Sequence, residues 1–115
     1  MWLCLSDAFL SIVEPEAGSA VLLVRSRRDG DILKVFPGAK VTRTPGRDYL
    51  FRALIDREEV ALVIADHLRG TDYNNFKNSV RDDKLHNAYS GFWTIMSRVQ
   101  EIPPYSTTRR TGSLL

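Results

Sequence analysis

Acidic, amide and histidine side chains are dense between residues 71 and 93, where the sequence reads TDYNNFKNSVRDDKLHNAYSGFW. The residues whose types could do chemistry are Asp72, Tyr73, Asn75, Lys77, Asp82, Asp83 and His86. Carboxylates beside a histidine can act as general acid and base, or can hold a divalent metal ion. His86 follows Asp82 by four residues and Asp83 by three, so one face of a helix start would hold all three side chains. The same spacing is equally typical of helix capping with a solvated histidine nearby.

Helix capping is the simpler interpretation of this segment. Asp and Asn accumulate at the ends of helices and in the turns between them, because both places favour short polar side chains. The sequence contains no HExxH, GxSxG, Walker or dinucleotide-binding motif that would favour an enzyme. We therefore predict no catalytic residue, no metal and no cofactor. The residues expected to cap helices or hold turns are Asp72, Asn75, Asn78 and either Asp82 or Asp83.

A second group of candidate residues lies in the basic segment from Arg25 to Arg52, which holds eight basic residues against three aspartates. Tyr49 and Phe51 alternate with Arg52, and basic side chains beside aromatic ones on a sheet are typical of single-stranded nucleic-acid binding. The nucleic-acid-binding candidates are Arg25, Arg27, Arg28, Lys40, Arg43, Arg47 and Arg52. The alternative is that the aromatic rings face the core while the arginines solvate the other face of the sheet.

Aromatic residues near both ends of the chain indicate a third role, protein binding. Trp2, Phe92, Trp93 and Tyr105 exceed what a domain of this size must place outside a core, and Trp and Tyr are enriched among the residues that dominate interfaces. For Phe92 we expect a place in the core instead. The protein-binding candidates are Trp2, Tyr73, Asn75, Lys77 and Trp93, with another protein or a second copy as the partner.

Composition limits the class of protein. The 115 residues are 43% apolar and 26% charged with a net charge of +2, which is typical of one folded soluble domain. The single cysteine, Cys4, excludes an intramolecular disulfide and fits a reducing cytoplasm. No apolar run is long enough to span a membrane. We predict one cytoplasmic domain over residues 1–102, followed by a flexible or surface-draped tail over residues 103–115.

Hydrophobic periodicity predicts an α+β fold in the order ββαββα, followed by further helices. The expected sheet has four mainly antiparallel strands with helices on one face, a permuted ferredoxin-like arrangement. Residues 2–5 can form an extra strand or the start of a bent first one. The other expected strands lie at residues 8–13, 20–25, 39–44 and 49–55. A single core is expected to contain Val21, Leu23, Ile32, Phe36, Phe51, Val60, Ile64, Phe76, Tyr89, Phe92 and Met96.

Four stretches, MWLCLSDAFLSIVE, VLLVRSRRDGDILKVFPGAKV, DYLFRALIDREEV and DYNNFKNSVRDDKLHNAY, resemble small uncharacterised proteins of bacteria and their phages. The resemblance implies compartment and size, and it carries over no activity and no site residue. It leaves open a phage or mobile-element role, such as inhibiting a host defence complex by covering its surface. We predict a small non-enzymatic cytosolic binding domain that acts through protein contacts, with nucleic-acid binding as the alternative.

Overall fold

The computed structural model describes residues 1–105, so most of the predicted tail lies outside the described residues. The strands follow runs of β-branched and aromatic residues, and the two long helices follow apolar residues spaced three and four apart. The elements are β1 (Trp2–Cys4), β2 (Phe9–Val13), β3 (Val21–Ser26), α1 (Asp31–Val35), β4 (Thr42–Arg43), β5 (Phe51–Asp56), α2 (Arg57–Arg69), α3 (Phe76–Ser79) and α4 (Asp83–Ser97).

The strands form one antiparallel sheet in the order β1-β2-β3-β5-β4. The predicted α+β class and the antiparallel sheet are confirmed, but the sheet has five strands rather than four. The additional strand is β1, whose Leu3 lies opposite Leu10 of β2. The run WLC therefore extends the sheet by one strand instead of bending into the next one.

One face of the sheet carries the main core. Phe51, Ala53 and Ile55 alternate along β5 and point to this face, and Val24 lies opposite Ala53 in the neighbouring strand. Helices α1 and α2 cover this face. The buried residues of the main core are Ala8, Leu10, Ile12, Val24, Ile32, Val35, Phe36, Phe51, Ala53, Ile55 and Val60.

The opposite face, called here the second face, carries a smaller cluster under α3 and α4. Val80, Leu85 and Tyr89 are buried there, and Cys4 and Phe9 of the sheet pack against them. The expectation of a single core is therefore wrong, and the additional C-terminal helices cover the face opposite to α1 and α2. The physical reason lies in β1 and β2, whose apolar residues alternate onto both faces and so require cover on both sides.

Three helices begin at the short polar residues that capping favours. Asp56 accepts hydrogen bonds from the backbone N–H groups of the second and third residues of α2, Asn75 caps α3, and Asp82 caps α4. The predicted caps at Asn75 and Asp82 are thus confirmed. Among residues 1–105, Asp72 and Asn78 accept no capping hydrogen bond, because α3 begins only after Asn75 and is four residues long.

Candidate functional site

The C-terminal half of α4 exposes an apolar surface. Leu85 and Tyr89 in its first half are buried against the sheet, whereas Phe92 and Met96 continue the same stripe and are 39% and 48% exposed. The core positions predicted for Phe92 and Met96 are therefore wrong. The helical period is right, but the packing beneath the helix ends after its second turn. We call this the exposed apolar surface; it comprises Phe92, Trp93, Ile95 and Met96 of α4 and Val99 just beyond its end.

Tyr89 anchors this helix to the sheet. Its hydroxyl donates toward the carbonyl oxygens of Leu5 and Ala8, each at 3.0 Å, in the turn between β1 and β2. Burial raises the pKa of the Tyr89 phenol well above its ordinary value. The phenol therefore stays protonated and remains a hydrogen-bond donor over the whole physiological pH range, which holds the start of the exposed apolar surface in place.

Aromatic side chains continue on both sides of α4. The Trp2 ring packs edge-on against Phe9 and Phe92, with ring centres 6.3 and 6.5 Å apart. On the other side, the Lys77 ammonium lies 4.5 Å from the centre of the Trp93 ring, a cation–π contact. Three of the predicted protein-binding residues thus meet at α4: Trp93 lies on the helix, and Trp2 and Lys77 lie on either side of it.

The remaining two protein-binding candidates lie beside α3. The Tyr73 ring packs against Phe76 with ring centres 5.8 Å apart and is partly exposed. Asn75 already accepts the N–H of Asn78 at 3.1 Å. Its side chain therefore has a structural role as the cap of α3.

A cleft of about 300 Å³ separates the β1–β2 end of the second face from α4. Its lining surface is nearly all apolar, and four charged residues also line it. We call it the β1–α4 cleft; its apolar wall residues include Trp2, Cys4, Phe9, Ala88, Tyr89 and Phe92, and its charged lining residues, called here the rim, are Arg27, Arg28, Asp31 and Lys84. This cleft was not predicted from the sequence, although the alternation of Cys4 and Phe9 away from the main core was a signal for it.

Arg28 connects the two sides of the sheet. Its guanidinium donates to both carboxylate oxygens of Asp31, at 3.0 and 3.2 Å, and forms an ion pair with Asp82 at 3.1 Å. Asp31 is 1% exposed and also accepts the N–H of Phe9 at 3.1 Å. The pKa of Asp82 is lowered, first by the hydrogen bond from the Leu85 N–H and then by Arg28.

Helix α1 begins without a side-chain cap. The residue before the helix is Gly30, with a φ of 87° and no side chain that could accept a capping bond. A left-handed backbone at this position favours glycine. The turn directs Asp31 inward, where it becomes the buried partner of Arg28.

A second arginine group covers the middle of the second face. Arg25 and Arg52 lie directly opposite each other in β3 and β5, a like-charge pair that would repel. Both form ion pairs with Asp48, at 3.5 and 2.6 Å, and their side chains are only 15% and 12% exposed. The Tyr49 ring is buried, and the guanidinium groups of Arg25 and Arg27 lie 4.6 and 4.3 Å from its centre. Because the ring is buried within the described residues, it is not accessible for base stacking.

The basic segment thus divides into two sets. Arg25, Arg27, Arg28 and Arg52 are engaged by carboxylates, carbonyl oxygens or the Tyr49 ring. The exposed residues that make no ion pair and no side-chain hydrogen bond within residues 1–105 are Lys40, Arg43 and Arg47. Phe51 faces the main core, so the predicted alternation of stacking rings with arginines does not form one surface.

The acidic and histidine residues of segment 72–86 do not converge on one point. The His86 Nδ1 atom lies 3.0 Å from the Lys77 carbonyl oxygen, and Asp82 is engaged by the α4 backbone and Arg28. Within residues 1–105 no group of three His, Cys, Asp or Glu side chains is placed to hold a metal ion. His67 and the neighbouring Leu68 of α2 are both exposed.

Two further observations bear on the class of protein. In the part of the chain that the structure describes, no helix combines the length and the apolar character that crossing a membrane requires. Compared with known proteins, the chain matches no family model, no curated protein and no solved structure.

Proposed function

We propose that the protein is a small non-enzymatic binding domain that docks another protein, or a second copy of itself, on the exposed apolar surface of α4. One observation carries the proposal: the apolar stripe of α4 continues for two turns beyond the sheet that covers its beginning. A contiguous exposed apolar patch on a folded domain is costly in water and typically marks an interaction site.

The composition of the surface supports a protein partner. Phe92, Trp93 and Met96 belong to the residue types enriched in the centre of interfaces. Between Lys84 and Arg98 the helix contains no Asp, Glu, Lys or Arg, so docking would desolvate few charges. The Tyr89 hydrogen bonds pre-organise the helix, which lowers the entropy lost when a partner binds.

The test compares two exposed apolar positions on different helices. Ile95 on α4 and Leu62 on α2 are 59% and 64% exposed, so Asp substitutions at either site should leave the fold intact. We expect wild-type protein and Leu62→Asp to retain the same specific partner or the same concentration-dependent dimer, and Ile95→Asp to lose it. The measurement is co-purification from the native host, combined with analytical ultracentrifugation of the isolated protein. Loss in both variants, or in neither, would contradict docking on α4.

Nucleic-acid binding is the second candidate. It is supported by the three exposed basic residues Lys40, Arg43 and Arg47, which have no acidic partner within residues 1–105. If it holds, mixed-sequence single-stranded RNA should bind with an affinity that falls with salt. Arg43→Ala with Arg47→Ala should then reduce the slope of that dependence by about one to two units. An absence of binding at low salt would remove this candidate.

The predicted phage or mobile-element role is a more specific form of the first proposal. Covering the surface of a host defence complex needs only a docking face, which the exposed apolar surface supplies without any catalytic group. In a host carrying the targeted defence, we expect protection by the wild-type protein and by Leu62→Asp but not by Ile95→Asp. Equal protection by Leu62→Asp and Ile95→Asp would contradict this form of the proposal.

For the fold, we propose that β2, β3, β5 and β4 form the permuted ferredoxin-like unit predicted from the sequence. The antiparallel order of these four strands and the position of α1 and α2 on one face support it. In this interpretation β1, α3 and α4 are additions that cover the second face. An experimental structure with another strand order would contradict it.

A further inference from the structure

We propose that the β1–α4 cleft binds a small amphipathic anion, an apolar chain or ring that carries a single carboxylate. This ligand site shares Phe92 with the exposed apolar surface, whose other four residues do not line the cleft.

The walls of the cleft fit an apolar ligand body. A volume of about 300 Å³ lies at the lower end of the range for small-molecule sites. The Trp2 ring contacts the Phe9 and Phe92 rings edge-on, and all three rings line the cleft. The one hydroxyl on the wall, that of Tyr89, is already committed to two carbonyl oxygens. Little in the interior therefore recognises a polar group.

The rim selects the charge of the ligand. Asp31 and Asp82 both form ion pairs with Arg28, and the Lys34 ammonium lies 3.8 Å from Asp31. The other basic residues of the lining are Arg27 and Lys84. The Arg27 guanidinium donates to the carbonyl oxygen of Asp48 at 2.9 Å and lies over the Tyr49 ring, so within residues 1–105 it is held in place without a carboxylate partner. Lys84 makes no ion pair within residues 1–105.

Two positively charged groups thus border an apolar cleft with no anion of their own. A ligand that placed its apolar part against the rings and its carboxylate at the rim would satisfy both features. A cationic ligand would be repelled by the same two charges. The buried Asp31 carboxylate would not offset that repulsion, because it is already bound to Arg28. The charge arrangement therefore favours an anion.

The test uses decanoate and its uncharged analogue decanamide. Trp2 on the cleft wall reports binding by fluorescence in a Trp93→Phe background, which removes the second tryptophan of the chain. We expect decanoate to bind at least tenfold more tightly than decanamide, with an affinity that decreases as salt screens the rim charges. Equal affinity for the two compounds would overturn the assignment of the rim.

Matched variants test the location. Ala88→Trp should fill the cleft and abolish binding, whereas Ala61→Trp on the exposed side of α2 should bind as the wild type does. Lys84→Met should weaken decanoate about fivefold, the effect of one nearby charge in water, and Lys40→Met should not. Unchanged affinity for decanoate in a folded Ala88→Trp variant would overturn the proposal. If Ala88→Trp does not fold, unchanged affinity in Lys84→Met would overturn it instead. Ile95→Asp should retain decanoate binding, so failure of the docking proposal and failure of this one are distinguishable.

Discussion

The two faces of the sheet carry apolar side chains that are covered to very different degrees. On the main-core face, α1 and α2 bury Phe36 and Ile32 to 1% exposure. On the second face, α4 covers the β1–β2 end with Leu85 and Tyr89 and then continues with half-exposed aromatic residues. The apolar residues of the main core are therefore fully covered, whereas α4 packs closely against the second face only along its first half.

The difference separates stability from binding. Apolar burial stabilises a fold in proportion to the area removed from water, so the main core supplies most of that free energy. The exposed apolar surface of α4 contributes little until something covers it, and that uncovered area is the driving force for docking. Substitutions in the two regions should accordingly affect different measurements.

The largest expected effect is on the main core. Phe36→Ala should lower the free energy of unfolding by about 3–5 kcal/mol, because it removes a fully buried ring and leaves a cavity. Phe92→Ala should cost less than half of that, since its ring is 39% exposed. Urea denaturation of both variants measures the comparison. Equal losses would show that α4 packs as tightly as the main core.

The connection between the faces should show the next largest effect. Asp31→Asn should cost about 1.5–3 kcal/mol, because it removes charge-assisted hydrogen bonds from Arg28 in a site that is 1% exposed. The matched control is Asp48→Asn, whose side chain is 63% exposed and which should cost less. The measurement is again denaturant unfolding. A larger loss for Asp48→Asn would show that the arginine contacts of Asp48, in the middle of the sheet, stabilise the fold more than those of Asp31.

Tyr89→Phe tests the anchor of α4. We expect a loss of about 1–2 kcal/mol, because the Leu5 and Ala8 carbonyl oxygens lose their buried donor. Tyr73→Phe, at a partly exposed ring, is the control and should be nearly neutral. Thermal melts of the two variants at pH 7 distinguish them, and equal melting temperatures would mean that the Tyr89 hydroxyl does not hold the helix.

The same residue predicts a dependence on pH. The pKa of Tyr89 is raised in the folded state, so its contribution to stability is complete below the ordinary tyrosine pKa of about 10. Above that pH the unfolded chain releases the proton while the folded protein retains it, and stability falls as pH rises. Tyr89→Phe should therefore show a shallower decline between pH 9 and 11 than the wild type. Parallel declines would contradict the raised pKa.

The smallest expected effect concerns helix capping on the main-core side. Asp56→Ala should cost about 1 kcal/mol, because two N–H groups at the start of α2 lose their acceptor. Asp56→Asn should be almost neutral, since a short side-chain oxygen still serves them. Denaturant midpoints of the pair provide the check, and a large loss in Asp56→Asn would indicate that the charge itself matters.

Local signals in the sequence mark the bounds of α2 and the start of α4. Asp56 and Gly70 bound α2 as capping chemistry predicts, and Asp82 begins α4. The period of α4 was also correct, yet Phe92 was misplaced. Periodicity identifies which residues share a face of a helix. How much of that face is buried depends on the strands β1 and β2, which lie more than seventy residues away in the chain.

The candidate site needed tertiary information. The β1–α4 cleft forms only because Trp2 and Phe9 meet Phe92 and Tyr89 from the other end of the chain. Tyr49 shows the same limit on a smaller scale. Its spacing from Phe51 predicted a common face, but β5 begins at Phe51, so strand alternation does not extend to Tyr49, and two arginines enclose its ring instead.

The short outer strands of the sheet have a consequence for aggregation. The sheet ends in the three-residue β1 on one side and the two-residue β4 on the other, which leaves few free backbone groups to recruit a strand from another molecule. Four of the five residues of the exposed apolar surface lie on α4, whose backbone hydrogen bonds are internal. Clustering of these molecules at high concentration should therefore be reversible on dilution and retain the native circular dichroism spectrum, without growth of cross-β fibrils.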